Sequence, residues 1–201
     1  GGDYWGEGGW MQAIDLTNPS QGRSQVVTLE LAAKPGAPPS GFVPTRFVAI
    51  DNNLISELIF EGKTDGRLAK LLAEPGTRVQ ISRQVINEAL HHPELSGASR
   101  EKSWTELRKL QESGRLLLSG ETHMTPAQLA LYGDLSRALS AAMVGAGDAR
   151  VIADAMVKNV PLATSDEGMR TALGNALRNP KVRKLLKDNG LPLEANKILL
   201  P

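Results

Sequence analysis

The sequence predicts an α/β protein with a central, mostly parallel sheet flanked by helices. Three observations lead there. From Arg46 onward, short apolar runs of strand character alternate with amphipathic helical runs, the pattern of strands joined by crossover helices. Two of the apolar runs, "FVAID" and "PLATSD", end on an aspartate, where a helix would begin. No internal repeat or low-complexity tract breaks the alternation.

The elements follow in order. Residues 1–44 are Gly-rich and carry two of the three Trp residues, with "VVTLELAA" (Val26–Ala33) as a strand and "KPGAPPSG" as a linker. They contain no core of their own, so the expected division is an extension over 1–44 and a domain over 45–201. Phe47–Ile50 reads as a buried strand, followed by a helix with Leu54, Ile55, Leu58 and Ile59 on its apolar face. "DGRLAKLLAEPG" is a short helix closed by Pro75 and Gly76. "RVQIS" is a strand whose Ser82 can cap the helix "RQVINEALHH". "SREKSWTELRKLQESG" is a helix with Trp104, Leu107 and Leu110 inward, stopped at Gly114. After the strand "RLLLSG", Thr125 and Pro126 open a long helix as cap and first residue. "GDARVIADAMVKN" is a helix, "VPLATSD" (Val160–Asp166) a strand, and the tail a helix, an Asn189-Gly190 turn and a last strand.

Composition narrows the chemistry. The 201 residues are enough for one good core and an appendage. The formal net charge of +1 does not announce a nucleic-acid partner. With no cysteine there is no disulfide, thiolate nucleophile or zinc–cysteine site, which suits a cytoplasmic place of action. No apolar run is long enough to span a bilayer, and no signal-peptide pattern is present. The start at Gly-Gly without Met reads as a processed product or a piece of a longer chain.

Acids recur where strands meet helices. Asp51 and Asp166 close apolar strands, Asp148 opens a helix, and Glu88 lies a turn or two into one. Each has an ordinary reading: helix caps for Asp51, Asp148 and Asp166, a surface face for Glu88. In a parallel sheet, however, the carboxyl ends of strands and the amino ends of following helices share one edge, where open α/β sheets bind ligands. Four carboxylates gathered there would repel and raise one another's pKa values unless a cation neutralised them. Hard oxygen donors suit Mg²⁺ or Mn²⁺.

The run "VAIDNN…ISRQVINEAL…GDARVIADAMVKNVPLATSD" resembles PIN-domain nucleases, the fold of VapC-type ribonuclease toxins. The resemblance spans roughly Arg46 to Arg170 and rests on the order and spacing of the four acidic motifs. It implies a PIN-like three-layer sandwich and a metal-dependent endoribonuclease. Asp51, Glu88, Asp148 and Asp166 would hold Mg²⁺ or Mn²⁺, and Asn53, Thr164 and Ser165 would bond carboxylates or bound water. It also implies a toxin restrained by an antitoxin or immunity protein, with room for a homodimer. The segment "YWGEGG" faintly resembles segments preceding the toxin modules of filamentous-haemagglutinin-type and contact-dependent-inhibition proteins, which would deliver the domain into a target cell.

Other residues weigh less. His91-His92 closes a helix, where imidazolium suits the dipole, and His123 lies in a loop with no partner at a telling spacing. There is no G-x-S-x-G elbow, and "GAGD" lacks the Lys and third Gly of a phosphate loop. Asp154 lies about 240° round the helix from Asp148, outside any shared site, and is expected to pair with Arg150. Arg46, Arg78, Arg83 and Arg170 are expected to flank the acidic edge and are candidates for holding RNA phosphates there, or are surface charge. "RNPKVRKLLK", with Lys181 and Lys184, reads as a solvated face or a backbone-binding strip for RNA. The alternative to an enzyme is a PIN-like module that binds RNA or protein without catalysis.

Overall fold

The protein was described from a computed structural model covering residues 44–59, 66–82, 84, 85, 88, 97–119 and 124–200, together with the backbone of two strands, β1 (Met11–Ala13) and β2 (Val27–Leu29). The expected linker, His91, His92, His123 and Arg83 lie outside the described residues, as do the side chains of Leu58, Ile59 and Trp104. The fold is α/β. Its strands β3 (Arg46–Ile50), β4 (Thr77–Ser82) and β5 (Leu116–Ser119) form a parallel sheet in the order β5-β4-β3, a further strand, β6 (Leu162–Ala163), follows in sequence, and helices lie between the strands along the chain. The chain divides into two compact units, residues 1–123 and 124–201.

In the first unit, β1 and β2 pair antiparallel, Gln12 opposite Thr28. The expected strand over Val26–Ala33 is thus Val27–Leu29, with a partner that the Gly-rich composition around Met11 did not announce. Strand β3 pairs with β4 in the register Val48↔Val79, and β4 with β5 in the register Val79↔Leu116. Val48 and Val79 are fully buried. On β4 the burial alternates strictly, Thr77, Val79 and Ile81 inward, as a period of two requires. The helix Asn52–Ile59 buries Leu54 and Ile55, and Arg67–Ala73 buries Leu68 and Leu71, as their spacing predicts.

A tight turn feeds β4. Gly76 has φ +80°, and a Cβ there would sit 2.2 Å from Thr45 Oγ1, so only glycine fits. The Arg115 guanidinium ties this corner together: Nε donates to Thr77 O (3.0 Å), and Nη2 donates to the carbonyls of Leu72 and Glu74. The Leu72 carbonyl is in the last turn of the Arg67–Ala73 helix, where carbonyls lack an intrahelical donor, while the Glu74 carbonyl also accepts the Thr77 N–H.

In the second unit, Thr125 and Gln128 form a reciprocal capping box for the Pro126–Ala141 helix, as read from Thr125-Pro126. That helix ends with Val144 N donating to Leu139 O and Met143 N to Ser140 O, a left-handed closure with Met143 at φ +74°. The Ala146–Val157 helix is buried from Val151 to Val157 and closes the same way, Val160 N donating to Ala155 O with Asn159 at φ +55°. This explains why the expected strand Val160–Asp166 is only Leu162–Ala163: the helix end uses Val160 and the next helix cap uses Thr164–Asp166. The expected last strand reduces to a single parallel bridge, Leu162↔Leu199, with Leu200 N donating to Leu162 O. A short helix, Ala195–Ile198, takes the preceding residues.

Asp154 corrects one expectation. It is buried and pairs with Lys158 at 2.7 Å, while Arg150 is exposed. An acid four residues before a base is the favoured helical order, and Lys158 lies at the negative end of the dipole.

Candidate acidic site

Asp51 stands immediately after β3 and is 5% exposed. Its Oδ1 accepts the Asn52 N–H at 2.8 Å, and its carbonyl accepts Leu54 N–H at 3.2 Å, so the strand turns into the Asn52–Ile59 helix about this residue. Beside it in sequence, the Asn52 side-chain oxygen is buried with no hydrogen-bond partner. A buried orphan acceptor costs about 1–3 kcal/mol and in native proteins usually marks a missing water, ion or donor. The expected hydrogen-bonding amide, Asn53, is half-buried. Both amides follow the acid and both residues are half-buried; what separates them is the unpartnered side-chain oxygen of Asn52.

Glu88 is helical and half-buried, and accepts from Gln84 Nε2 at 2.7 Å, one turn back. Ser82 Oγ accepts Val85 N–H at 3.2 Å, the cap predicted for this segment.

In the second unit, Asp166 is the N-cap of the Glu167–Ala176 helix: its Oδ1 accepts Met169 N–H at 3.0 Å. Thr164, buried, accepts the Asp166 N–H through Oγ1 at 3.1 Å and so fixes the turn that aims the carboxylate. Ser165 is exposed. Gly168 permits this cap, since a Cβ there would lie 3.0 Å from Asp166 Oδ1. Asp148 is not a cap: Gly145 holds that position, and Asp148 is the third residue of the helix, where a carboxylate complements the dipole.

The expected cations separate by position. Arg46 and Arg78 begin their strands, at the amino-terminal end of a parallel pair, whereas Asp51 follows the carboxyl end of β3. A five-residue strand spans about 16 Å, so these two arginines do not flank Asp51. Arg46 pairs with Glu74 instead. Arg78 Nε donates to Gly114 O at 2.9 Å, and burial lowers its guanidinium pKa below the ordinary value. Arg170 donates to Leu200 O at 2.8 Å and lies 3.9 Å from Glu167, so it fastens the end of the second unit. Lys181 is exposed. Lys184 bonds Asp188 at 2.7 Å, and that hydrogen bond, then the charge of Asp188, raises its ammonium pKa.

Among the described residues, no group of three or more His, Asp or Glu side chains stands together as a metal site. No family model matches the chain, and neither does any curated protein. One solved structure, described as VapBC2 from Rickettsia felis bound to a DNA fragment from its promoter, is similar with a TM-score of 0.47 and 18% identity, over 68% of this chain and 95% of that one.

Proposed function

We propose that this chain is a metal-dependent endoribonuclease of the PIN type, acting as a toxin in the cytoplasm and restrained by an antitoxin or immunity protein. The observation that carries the reading is the burial of Asp51 at the carboxyl end of β3. Helix starts elsewhere in this chain are capped by Thr125, which is exposed, and Asn179, which is half-buried. Neither of those caps is withdrawn from water as Asp51 is. A carboxylate held in that way at a strand's carboxyl end is the kind of group a binding site uses. The order of the four acidic motifs, Asp51, Glu88, Asp148 and Asp166, supplies the family and the substrate. Mg²⁺ or Mn²⁺ would be held by these acids and, bound, would polarise the scissile phosphodiester and activate water.

The test is incubation with total RNA and Mg²⁺, with and without EDTA, followed by mapping of the ends. Cleavage should need the cation and leave 5′-phosphate and 3′-hydroxyl ends. Asp51→Asn keeps the shape and an acceptor oxygen, yet should lower the rate by about a hundredfold or more, the scale of losing a ligand rather than an outer partner. Full-rate cleavage by that variant would sink the reading. The second reading is a binding module without catalysis. Calorimetric titration separates them: Mn²⁺ uptake that Glu88→Gln weakens supports the nuclease, and no uptake supports the module.

A further inference from the structure

The Pro180–Asp188 helix has one buried side, Val182 and Leu186, and one strongly cationic side. At 100° per residue, Lys184 points about opposite the buried pair, with Lys181 and Lys187 each within about 60° of it. All three are exposed, as are Arg183 and the preceding Arg178. Asp188 is the helix's lone acid and is paired with Lys184. Among the described residues, Arg178, Lys181 and Lys187 take part in no salt bridge. The helix N-terminus is already satisfied, because Asn179 Oδ1 accepts from Lys181 N and Val182 N.

We propose that this outward face, with Arg178 at its head, binds the phosphate backbone of a nucleic acid. The inference deepens the reading above and rests on it for the identity of the polymer as RNA. The lysines rise about 4.5 Å apart along the axis, so they meet a row of charges rather than a single ion. The outward positions hold no aromatic or large apolar side chain. A protein partner therefore finds no anchor to bury, and a membrane gains no inserted surface. A repeating anion needs neither. Its binding is carried by cation release, which is sequence-independent and steeply salt-dependent.

The experiment uses the full chain in EDTA, where cleavage is stopped, and reads anisotropy of a short fluorescein-labelled single-stranded RNA from about 50 to 200 mM salt. Arg178→Gln/Lys181→Gln/Lys187→Gln should lower the slope of log affinity against log salt by about 2, about 0.7 per phosphate contact. Lys70→Gln/Arg108→Gln/Lys109→Gln removes the same charge from exposed positions elsewhere and should leave the slope unchanged. Circular dichroism verifies that both variants fold. An unchanged slope in the first variant overturns the proposal, as do equal losses in both, which would report net charge alone. Acidic-lipid vesicles replace the RNA in a parallel arm, and a loss confined to that arm also overturns it. Full-rate cleavage by Asp51→Asn, with the slope change intact, would remove the catalytic reading and leave this one standing.

Discussion

Asp166 caps a helix, and substitution separates that role from one in cleavage. Its Oδ1 caps the Glu167–Ala176 helix through Met169 N–H. Asparagine caps a helix about as well as aspartate, whereas alanine loses about 1 kcal/mol. Thermal melting should therefore leave Asp166→Asn near the parent and lower Asp166→Ala by a few degrees. If the carboxylate also acts in cleavage, both variants lose activity; if it only caps, Asp166→Asn keeps it. The sequence revealed this cap from "TSDEG" alone, because capping is decided within four residues. It could not separate Asn52 from Asn53, or turn Asp154 from Arg150 to Lys158, because those outcomes depend on which side of the helix the core covers.

Whole elements were legible where periodicity and punctuation agreed. The strands β3, β4 and β5 and the long Pro126–Ala141 helix lie where alternation, Thr125-Pro126 and Gly114 put them. The ends of helices were harder to read. Met143 holds the left-handed position that usually belongs to glycine, and it is 86% exposed. No composition rule would put a helix stop on "AAMVG". The side chain buries little there and the backbone is strained by about 1–2 kcal/mol. Met143→Gly should consequently stabilise the protein by up to about 1 kcal/mol in urea unfolding, since relief of strain is partly offset by the greater freedom of the unfolded glycine. A loss of stability would mean that Met143 packs in a way its exposure conceals.

At the scale of the molecule, a net charge of +1 conceals a division. Residues 124–201 carry ten Lys or Arg against seven Asp or Glu, a net of +3; the preceding residues carry thirteen against fifteen, a net of −2. Local charge, not the total, governs encounter with a polyanion. The protein should accordingly be retained on heparin at low salt and elute as salt rises. Arg178→Gln/Lys181→Gln/Lys187→Gln should elute earlier than the Lys70, Arg108 and Lys109 triple variant. Equal elution of the two would leave only total charge as the cause.

The parallel register carries a consequence in time. Val48 meets Val79, and Val79 meets Leu116, so each pairing waits for a long loop to close before its first hydrogen bond forms. Loop closure of that kind is an entropic toll met in advance of any reward, and it slows folding toward the millisecond-to-second range. Asp51, which follows β3 directly, is buried only in the folded chain. A newly made chain would therefore pass through an interval in which its strands are unpaired and its buried acid is still in water. Anything that prolongs that interval leaves the acid in water for longer without touching a single residue around it.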